Sequence, residues 1–381
     1  LITLYHLIFI VKIKIIMKIC IIGDGLTSLS LAKILINKKI KVHIYHKKSI
    51  NEFSPNRTIG ISKNNLSFFE KKIIKLPKEI KWQINKIEIY SEKMQKNKIL
   101  NFEDNKKNLF YMIKNNELYK HLNISLINNK FFKKRLIKNK NSYEEILRNK
   151  NYNLIINCDQ DNPISKKYFT KKFDKDYKNL AYITIIEHER IENNSAIQVF
   201  TDVGPIAYLP ISNFKTSVVC SLDIGSKNYS DKEVVNIINK HNPKFKIKKI
   251  FKLNNFKLKL SSLRNYYHKN ILAFGDVLHK IHPLAGQGFN MTIRDIRQLS
   301  DVIQEKIDLG LQLDGIIFKE FENKTKNKNY VFSTGIDLVY KIFNVEKNFK
   351  GKYLSKAIRY IGTNKKFMDT IIKYADKGLN N

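Results

Sequence analysis

The stretch GDVLHKIHPLAGQGFN, residues 275–290, decides the fold of this chain. It follows an apolar run at 271–274 that is typical of a strand, and it leads into a segment with helical spacing. Glycines between a strand and a helix let backbone N–H groups approach a bound ligand, and the start of a helix favours negative charge. We therefore expect a ligand-binding turn here.

A second turn of this kind lies far upstream, in GDGLTS at 23–28. An apolar strand at 19–22 precedes it, and a helix at 26–37 and a strand at 41–45 follow, which predicts a βαβ unit. Gly23 and Gly25 fit a dinucleotide turn, because a side chain at either position would obstruct the turn or an approaching pyrophosphate, and Ser28 is the small third residue. Alone, the motif also fits an ordinary βα turn. Two such units indicate one extended ligand, held at its pyrophosphate and at its ring system.

The acid that usually binds the ribose hydroxyls should stand at the end of the second strand, where this chain has His46. An imidazole can still bond a hydroxyl, so we expect adenosine binding to be weakened. At the other turn, Asp276 is placed to accept hydrogen bonds from a polyol such as a ribityl chain. If the ring system of the ligand is a flavin, a helix that starts near Phe289 or Asn290 would stabilise the negative charge of the reduced ring.

The formal charge of +36 over 381 residues raises the question of nucleic-acid binding. Of the 70 basic residues 62 are lysine, whereas nucleic-acid binders generally use the planar fork of arginine. We attribute the excess to biased codon usage and expect no specific nucleic-acid partner. The alternative predicts tight, salt-sensitive duplex binding. Such a surface should still attract anionic membranes and acidic partners.

Other classes of site find little support in the sequence. Cys20, Cys158 and Cys220 lie far apart in apolar runs, which is typical of buried free thiols. His279 and His282 are better explained as turn residues than as metal ligands, and no Ser-His-Asp set is recognisable. We expect a start at Met17, with 1–16 a dispensable leader or a mis-assigned start. No other apolar run approaches the ~20 residues that span a bilayer.

Strand patterns at 181–187, 196–200, 206–209 and 216–224 predict an antiparallel sheet, and the segment 82–100 predicts a further strand laid on a sheet. A helix is expected at 231–239, and the pattern from Met291 to Asn381 is helical.

The segment 275–299, GDVLHKIHPLAGQGFNMTIRDIRQL, resembles the GDAAHxxHPxxGQGxNxGxxD signature of FAD-dependent aromatic hydroxylases (class A flavin monooxygenases), most closely the ubiquinone-biosynthesis branch. GDGLTSLSLA at 23–32 resembles their dinucleotide turn, NRTIGIS at 56–62 their FAD-contacting arginine segment, and FTDVGPIAYLPI at 200–211 the strand pair that lines their substrate cavity. LIINCDQDN at 154–162 stands at their Asp-Gly motif, with Gln160 in place of the glycine.

The resemblance implies an α/β fold, in which a Rossmann-like FAD-binding domain of the p-hydroxybenzoate hydroxylase type is interrupted by an antiparallel β-sheet substrate domain and followed by a C-terminal helical region. We assign 17–76, 103–176 and 261–323 to the FAD domain, 77–102 and 177–260 to the substrate domain, and 324–381 to the helical region. By carry-over, the residues that bind FAD are Gly23, Gly25, Ser28, His46, Arg57, Asp276, Pro283, Gly286, Gln287, Gly288, Phe289 and Asn290. Those that line the substrate cavity are Gly204, Pro205, Leu209 and Pro210.

The function implied by the resemblance is hydroxylation of a polyprenylated phenol on the way to ubiquinone, through a flavin C4a-hydroperoxide. It requires FAD, dioxygen and NAD(P)H or another electron donor. Such a substrate sits in membrane, so we expect a cytoplasmic protein that rests on the inner face of the membrane or joins a quinone-biosynthesis complex. The residues that would contact the membrane surface are Val331, Phe332, Ile336, Leu338, Val339, Ile342 and Phe343. Packing in the protein core would also explain their helical spacing.

Two alternatives stay open. The first is a hydroxylase of a soluble aromatic substrate. The second is a catalytically degenerate FAD-fold subunit that acts as a scaffold or lipid-binding partner, for which His46 and Gln160 are the motivation.

Overall fold

The structure is a computed structural model that describes residues 17–47, 56–92, 98–103, 108–225, 227–281, 287–348, 370, 373–374 and 376–378. Within these ranges, no helix combines the length and the apolar character that crossing a bilayer requires.

The described strands form three sheets. They are β1 Lys18–Ile22, β2 Lys41–His46, β3 Thr58–Ser62, β4 Trp82–Ile84, β5 Lys86–Ser91, β6 Lys98–Glu103, β7 Phe110–Lys114, β8 Phe132–Leu136, β9 Leu154–Asn157, β10 Lys172–His188, β11 Ser195–Thr201, β12 Gly204–Pro210, β13 Lys215–Asp223, β14 Ile247–Ile250, β15 Asn254–Leu263, β16 Tyr267–His268, β17 Ile271–Ala273 and β18 His279–Lys280. The described α-helices are α1 Leu26–Asn37, α2 Lys63–Lys72, α3 Asn115–Ile127, α4 Asn141–Arg148, α5 Pro163–Tyr168, α6 Asp231–Lys240, α7 Gln287–Asp308 and α8 Ile316–Asn348.

The first sheet has six strands in the order β16-β17-β9-β1-β2-β8, and all neighbours are parallel except β16 and β17. Its central strands carry apolar runs because helices cover a parallel sheet, and Ile19, Ile21 and Ile156 have no exposed surface. The predicted βαβ opening is present, and α1 has the bounds expected from the sequence.

The second sheet contains β18-β15-β10-β13-β12-β11-β5-β6, with β14 paired to β10. All its pairs are antiparallel except β11 with β5. Helix α6 covers one face, where the hydroxyl of Tyr208 donates to the Ile238 carbonyl at 2.9 Å. Ser230 and Glu233 form a capping box at the start of α6, which explains why the helix begins at Asp231.

The third sheet has three strands in the order β3-β7-β4. It changes the prediction for the segment 82–100. The segment 82–100 was predicted as one strand on one sheet, but β4 belongs to the third sheet and β5 and β6 to the second. The chain changes sheet at Asn85, whose N–H donates to the Asn194 carbonyl at 3.0 Å. A single alternating pattern therefore serves two sheets.

Helices α7 and α8 pack on the six-stranded sheet, as the helical pattern after Met291 predicts. Ile296, Leu299 and Ile303 of α7 and Ile317 and Phe321 of α8 belong to the same buried cluster as the sheet. The continuous burial of this face explains the strong apolar periodicity of the segment.

Candidate functional site

The two glycine-rich turns lie side by side because their strands are neighbours across β9. Strands β1, β9 and β17 are parallel, so their carboxyl ends share one edge of the sheet. Backbone hydrogen bonds continue the pairing past the strands: the Cys158 N–H donates to Ile22 at 2.8 Å, and the Phe274 N–H to Asn157 at 2.9 Å. The turns at Gly23 and Gly275 thus meet at the edge where α/β sheets bind ligands.

The turns also contact each other directly, at glycines whose positive φ disfavours other residues. Gly275 has φ +62°, and a Cβ atom there would lie 2.8 Å from Cγ2 of Thr27. Gly23 has φ +109°, and its Cβ would lie 3.3 Å from both the Asp159 nitrogen and the Ser28 hydroxyl. Backbone strain and close packing therefore both require glycine at these positions.

The Gly23–Gly25 turn fits the pyrophosphate of FAD. Gly25 precedes α1 in an extended conformation, and no side chain caps the helix. A Cβ at Gly25 would find no atom of the described residues within 4 Å, so the structure shows open space beside the first N–H groups of α1. An open helix start of this kind is a site for phosphate oxygens. These contacts agree with the predicted roles of Gly23, Gly25 and Ser28, which stay predictions.

Asp24, between the two glycines, is held by a polar cluster that the sequence analysis did not identify. The Tyr119 hydroxyl donates to its Oδ1 at 3.1 Å, and Lys134 Nζ lies 3.0 Å from Oδ2. Burial alone would lower the pKa of Lys134, but the hydrogen bond and the charge of Asp24 raise that pKa overall. The predicted His46 ends β2 beside this cluster, with Nδ1 3.6 Å from Asp24 Oδ2.

Asp159 and Gln160, at the place of the Asp-Gly motif, are held by contacts on both sides of the segment. Lys47 Nζ lies 2.9 Å from Asp159 Oδ2, so this ion pair spans the end of β1. Gln160, which replaces the glycine, accepts a hydrogen bond from Lys280 Nζ of β18. Because β18 pairs with β15, this bond joins the six-stranded sheet to the second sheet.

Two of the cysteines are buried, as predicted, while Cys158 is only half-buried. Loss of hydration raises its pKa to about 12, so it is a neutral thiol rather than a nucleophile near pH 7.

The ring end of the site is only partly described. Pro283 and Gly286, together with His282, lie outside the described residues. Asp276 is exposed at the edge of the sheet. Helix α7 has begun by Gln287, two residues before the expected start, so its N-terminal turn includes Gly288 and Phe289. Among the described residues, the nearest atom to a Cβ at Gly288 would be Cγ1 of Ile281, at 4.0 Å.

The side chain of Asn290 lies against β3, and its predicted contact with FAD stays a prediction. It is 1% exposed, donates to the Gly60 carbonyl at 2.8 Å and accepts from the Ser62 N–H at 2.8 Å. It therefore fixes α7 against β3. A contact with the flavin ring would fall to its backbone.

Arg57 is exposed just before β3 and lies over the ring of Phe256 in β15, 5.8 Å from its centroid. Its contact with FAD stays a prediction.

The four predicted cavity residues lie at opposite ends of β12. Gly204 has φ +135°, and a Cβ there would lie 2.0 Å from the Ser221 carbonyl oxygen, so the turn itself requires this glycine. Pro205 follows it and is buried. Leu209 and Pro210 lie four to six residues further along the strand, roughly 13–20 Å away. Leu209 packs against the buried cluster that contains Ile84 and Met112 of the third sheet.

Leu209 lies on the face of the second sheet that looks toward β3. It stands opposite Ser217 across β12 and β13, and the Ser217 hydroxyl accepts a hydrogen bond from Thr58 of β3 at 2.9 Å. The next pair on this face, Ala207 and Val219, continues it with small apolar side chains.

His279 and Asp295 form a buried hydrogen-bonded pair. His279 Nε2 lies 2.5 Å from Asp295 Oδ2, and Asn329 donates to Oδ1 at 3.0 Å. This pair fixes the strand after Gly275 to α7 and α8. Arg294, the neighbour of Asp295, packs its guanidinium over Phe332 at 4.2 Å.

Comparison with known proteins places this geometry among flavoproteins. Residues 170–308 match the family described as FAD binding domain. The chain is 23% identical over 404 residues to the mitochondrial ubiquinone biosynthesis monooxygenase COQ6 of Dictyostelium discoideum, over 85% of this chain and 81% of that protein. It is 26% identical over 175 residues to the 3-demethoxyubiquinol 3-hydroxylase of Escherichia coli, over 44% of each.

Two solved structures share the fold. One is p-nitrophenol 4-monooxygenase PnpA of Pseudomonas putida, with TM-score 0.74 and 11% identity over 96% of this chain and 99% of that one. The other is HpxO of Klebsiella pneumoniae with FAD and uric acid, with TM-score 0.69 and 11% identity over 95% and 97%.

The comparisons confirm the predicted fold class, the resemblance to FAD-dependent hydroxylases of ubiquinone biosynthesis, and FAD as the cofactor. They also confirm an enzyme of the FAD-dependent monooxygenase type. The domain boundaries stay predictions. The family match begins at residue 170, beyond the first glycine turn, so the pyrophosphate site depends on the geometry above.

Proposed function

We propose that this protein hydroxylates the aromatic ring of a polyprenylated phenol in ubiquinone biosynthesis, with FAD as cofactor. The observation that carries the proposal is the contact between Gly275 and Thr27, which brings both glycine turns to one edge of the sheet. The resemblance of 275–299 to the ubiquinone branch, and the relatives of that branch, support the substrate class.

The chain's own residues would hold and orient the cofactor. The open N–H groups at Gly25 would bind the pyrophosphate, Asp276 would accept from the ribityl hydroxyls, and the start of α7 would lie at the ring. When bound, reduced flavin would activate dioxygen and supply the oxygen atom that enters the ring, with electrons from NAD(P)H or another donor.

The substrate ring would lie on the apolar face of the second sheet that looks toward β3. Ala207, Leu209 and Val219 contribute small or flexible side chains there, and Ile183 stands opposite Val219. An apolar face suits a prenylated phenol and keeps water from the reacting atoms.

A position on a membrane surface or in a quinone-biosynthesis complex is part of the proposal. Its support is the net charge of +36 and the exposure of Val331 (53%) and Leu338 (56%) on α8. Phe332 contacts Arg294 instead, and the side chains of Val339, Ile342 and Phe343 lie outside the described residues.

The test begins with the purified chain reconstituted with FAD. We expect a yellow protein whose NAD(P)H oxidation is stimulated by a prenylated phenol, with one atom of isotopically labelled dioxygen in the product. Expression in hosts that each lack one ubiquinone hydroxylase should restore ubiquinone in one of them and identify the ring position. A colourless protein would contradict the proposal, and bound flavin without hydroxylation of any intermediate would support the degenerate-subunit alternative.

The variant Ala207→Phe tests the substrate face. A phenyl ring there should lower hydroxylation of the prenylated phenol at least about tenfold, because it fills the space beside Val219, while flavin content stays unchanged. Unchanged hydroxylation would mean that the ring does not lie on this face.

A further inference from the structure

The end of β2 lacks an acid of its own, yet a carboxylate lies beside it. His46 occupies the position from which an acid usually binds the ribose hydroxyls of a dinucleotide. Asp24, from the turn after the neighbouring strand β1, brings its Oδ2 to 3.6 Å from His46 Nδ1. The negative charge is thus present at the end of β2 but comes from a different strand.

The Asp24 carboxylate is held in place and keeps free acceptor capacity. Tyr119 donates to Oδ1 at 3.1 Å, and Lys134 Nζ lies 3.0 Å from Oδ2. An ionised carboxylate accepts about four hydrogen bonds, so these two partners, counted among the described residues, leave positions for two hydroxyl donors. The side chain is 18% exposed, so part of the carboxylate is open to solvent.

His46 has its own acceptor available to the same ligand. Its Nδ1 lies 2.8 Å from the Lys47 carbonyl oxygen, which can only accept, so Nδ1 carries the proton. In the neutral ring, Nε2 is then the acceptor. Asp24 and His46 therefore present acceptors of two kinds at the end of β2.

A carboxylate within the pyrophosphate turn would by itself repel the phosphates. Lys134 lies within ion-pair distance of Asp24, and its charge offsets the carboxylate's. The pair provides a fixed acceptor without net negative charge.

We propose that Asp24 is the main acceptor of hydrogen bonds from the adenosine ribose hydroxyls of FAD, with His46 at the end of β2 as a second acceptor and Lys134 as the positioning residue. This inference rests on the proposed function only in requiring that FAD binds.

The test compares FAD with an analogue that lacks the 2′-hydroxyl of the adenosine ribose, titrated into the full chain and followed by flavin fluorescence. Wild type should bind FAD about tenfold more tightly than the analogue, the effect of one lost hydrogen bond to a charged group. Asp24→Ala should bind FAD about tenfold more weakly, and FAD and the analogue with nearly equal affinity. Lys134→Met should weaken both ligands but keep the preference, because the acceptor remains.

Asp202→Ala, which removes an exposed carboxylate from the β11–β12 turn, is the matched control and should behave as wild type. Thermal unfolding without flavin identifies a variant that fails to fold; in that event Asp24→Asn, which should retain part of the preference, takes the place of Asp24→Ala. A full preference for FAD in Asp24→Ala or Asp24→Asn would overturn the ribose assignment alone. A folded wild type that binds neither flavin would overturn the proposed function as well.

Discussion

Replacing Gly275 by alanine should separate the two glycine turns. The substitution acts in two ways that the structure distinguishes. The residue has φ +62°, which costs an L-amino acid about 1 kcal/mol. The added methyl group would also lie 2.8 Å from Cγ2 and 3.1 Å from Oγ1 of Thr27, an overpacking that costs about 2 kcal/mol. We expect Gly275→Ala to lower the free energy of unfolding by about 3 kcal/mol.

Three further variants separate these contributions. Gly310 has φ +67°, and a Cβ there would have no atom within 4 Å, so Gly310→Ala should show only the backbone cost of about 1 kcal/mol. Thr27→Ala removes both clashing atoms, so the double variant Thr27→Ala/Gly275→Ala should be destabilised less than the sum of its single changes by about 1–2 kcal/mol.

Urea unfolding of the four variants without flavin gives these energies, and FAD titration gives the consequence for the site. Gly275→Ala should bind FAD at least about tenfold more weakly, because its turn moves away from Thr27, whereas Gly310→Ala should bind as wild type. If Gly275→Ala were no less stable than Gly310→Ala, or if Thr27→Ala gave no relief, the contact between the turns would be wrong.

Three other predictions concern buried groups. Burial, with nearby lysines and Arg135, lowers the pKa of His43 to about 4, so the unfolded chain binds the extra proton between pH 6.5 and 4, and the free energy of unfolding should fall by about 3 kcal/mol as pH drops through that range. In His43→Phe this part of the loss should vanish, and an identical pH profile would contradict the assignment. Asn290→Ala leaves the Gly60 carbonyl and the Ser62 N–H without partners and should cost about 3 kcal/mol in urea unfolding, where a loss below about 1 kcal/mol would refute the role of this side chain. Burial raises the pKa of Cys220, so iodoacetamide at pH 7 should modify it only after unfolding, as peptide mass spectrometry can check, and rapid labelling of the folded chain would refute its burial.

The sequence predicts elements well where packing on both faces leaves a clear apolar pattern. Helix α1 and strands β1 and β2 were expected within one residue, because buried runs alternate there with short turns. Strand β10 is ten residues longer than the predicted segment, since its first part, Lys172–Asp176, pairs with β15 through exposed polar residues that leave no apolar signal.

The site was predictable in kind but not in its contacts. The glycines, Asp276 and the helix after them follow from motif spacing, since backbone conformation limits which residues fit. The residues that contact these groups and hold them in place cannot be predicted from motif spacing. Thr27 has no distinguishing signal, and Lys134 is one of 62 lysines, so only the pairing of β8 with β2 identifies it as the partner of Asp24.

The order of strands in the six-stranded sheet also dictates when the binding site can form during synthesis. Strand β9 lies between β1 and β17, and β17 is made more than 110 residues after it. Until residue 273 has left the ribosome, β9 has an open edge with buried-type side chains, and pairing over such separations is slow. The nascent chain therefore passes through a long period in which the first turn exists without the second. Flavin that reaches the chain early would find only the pyrophosphate half of its site, and a chaperone that shields the edge of β9 would favour correct closure of the sheet.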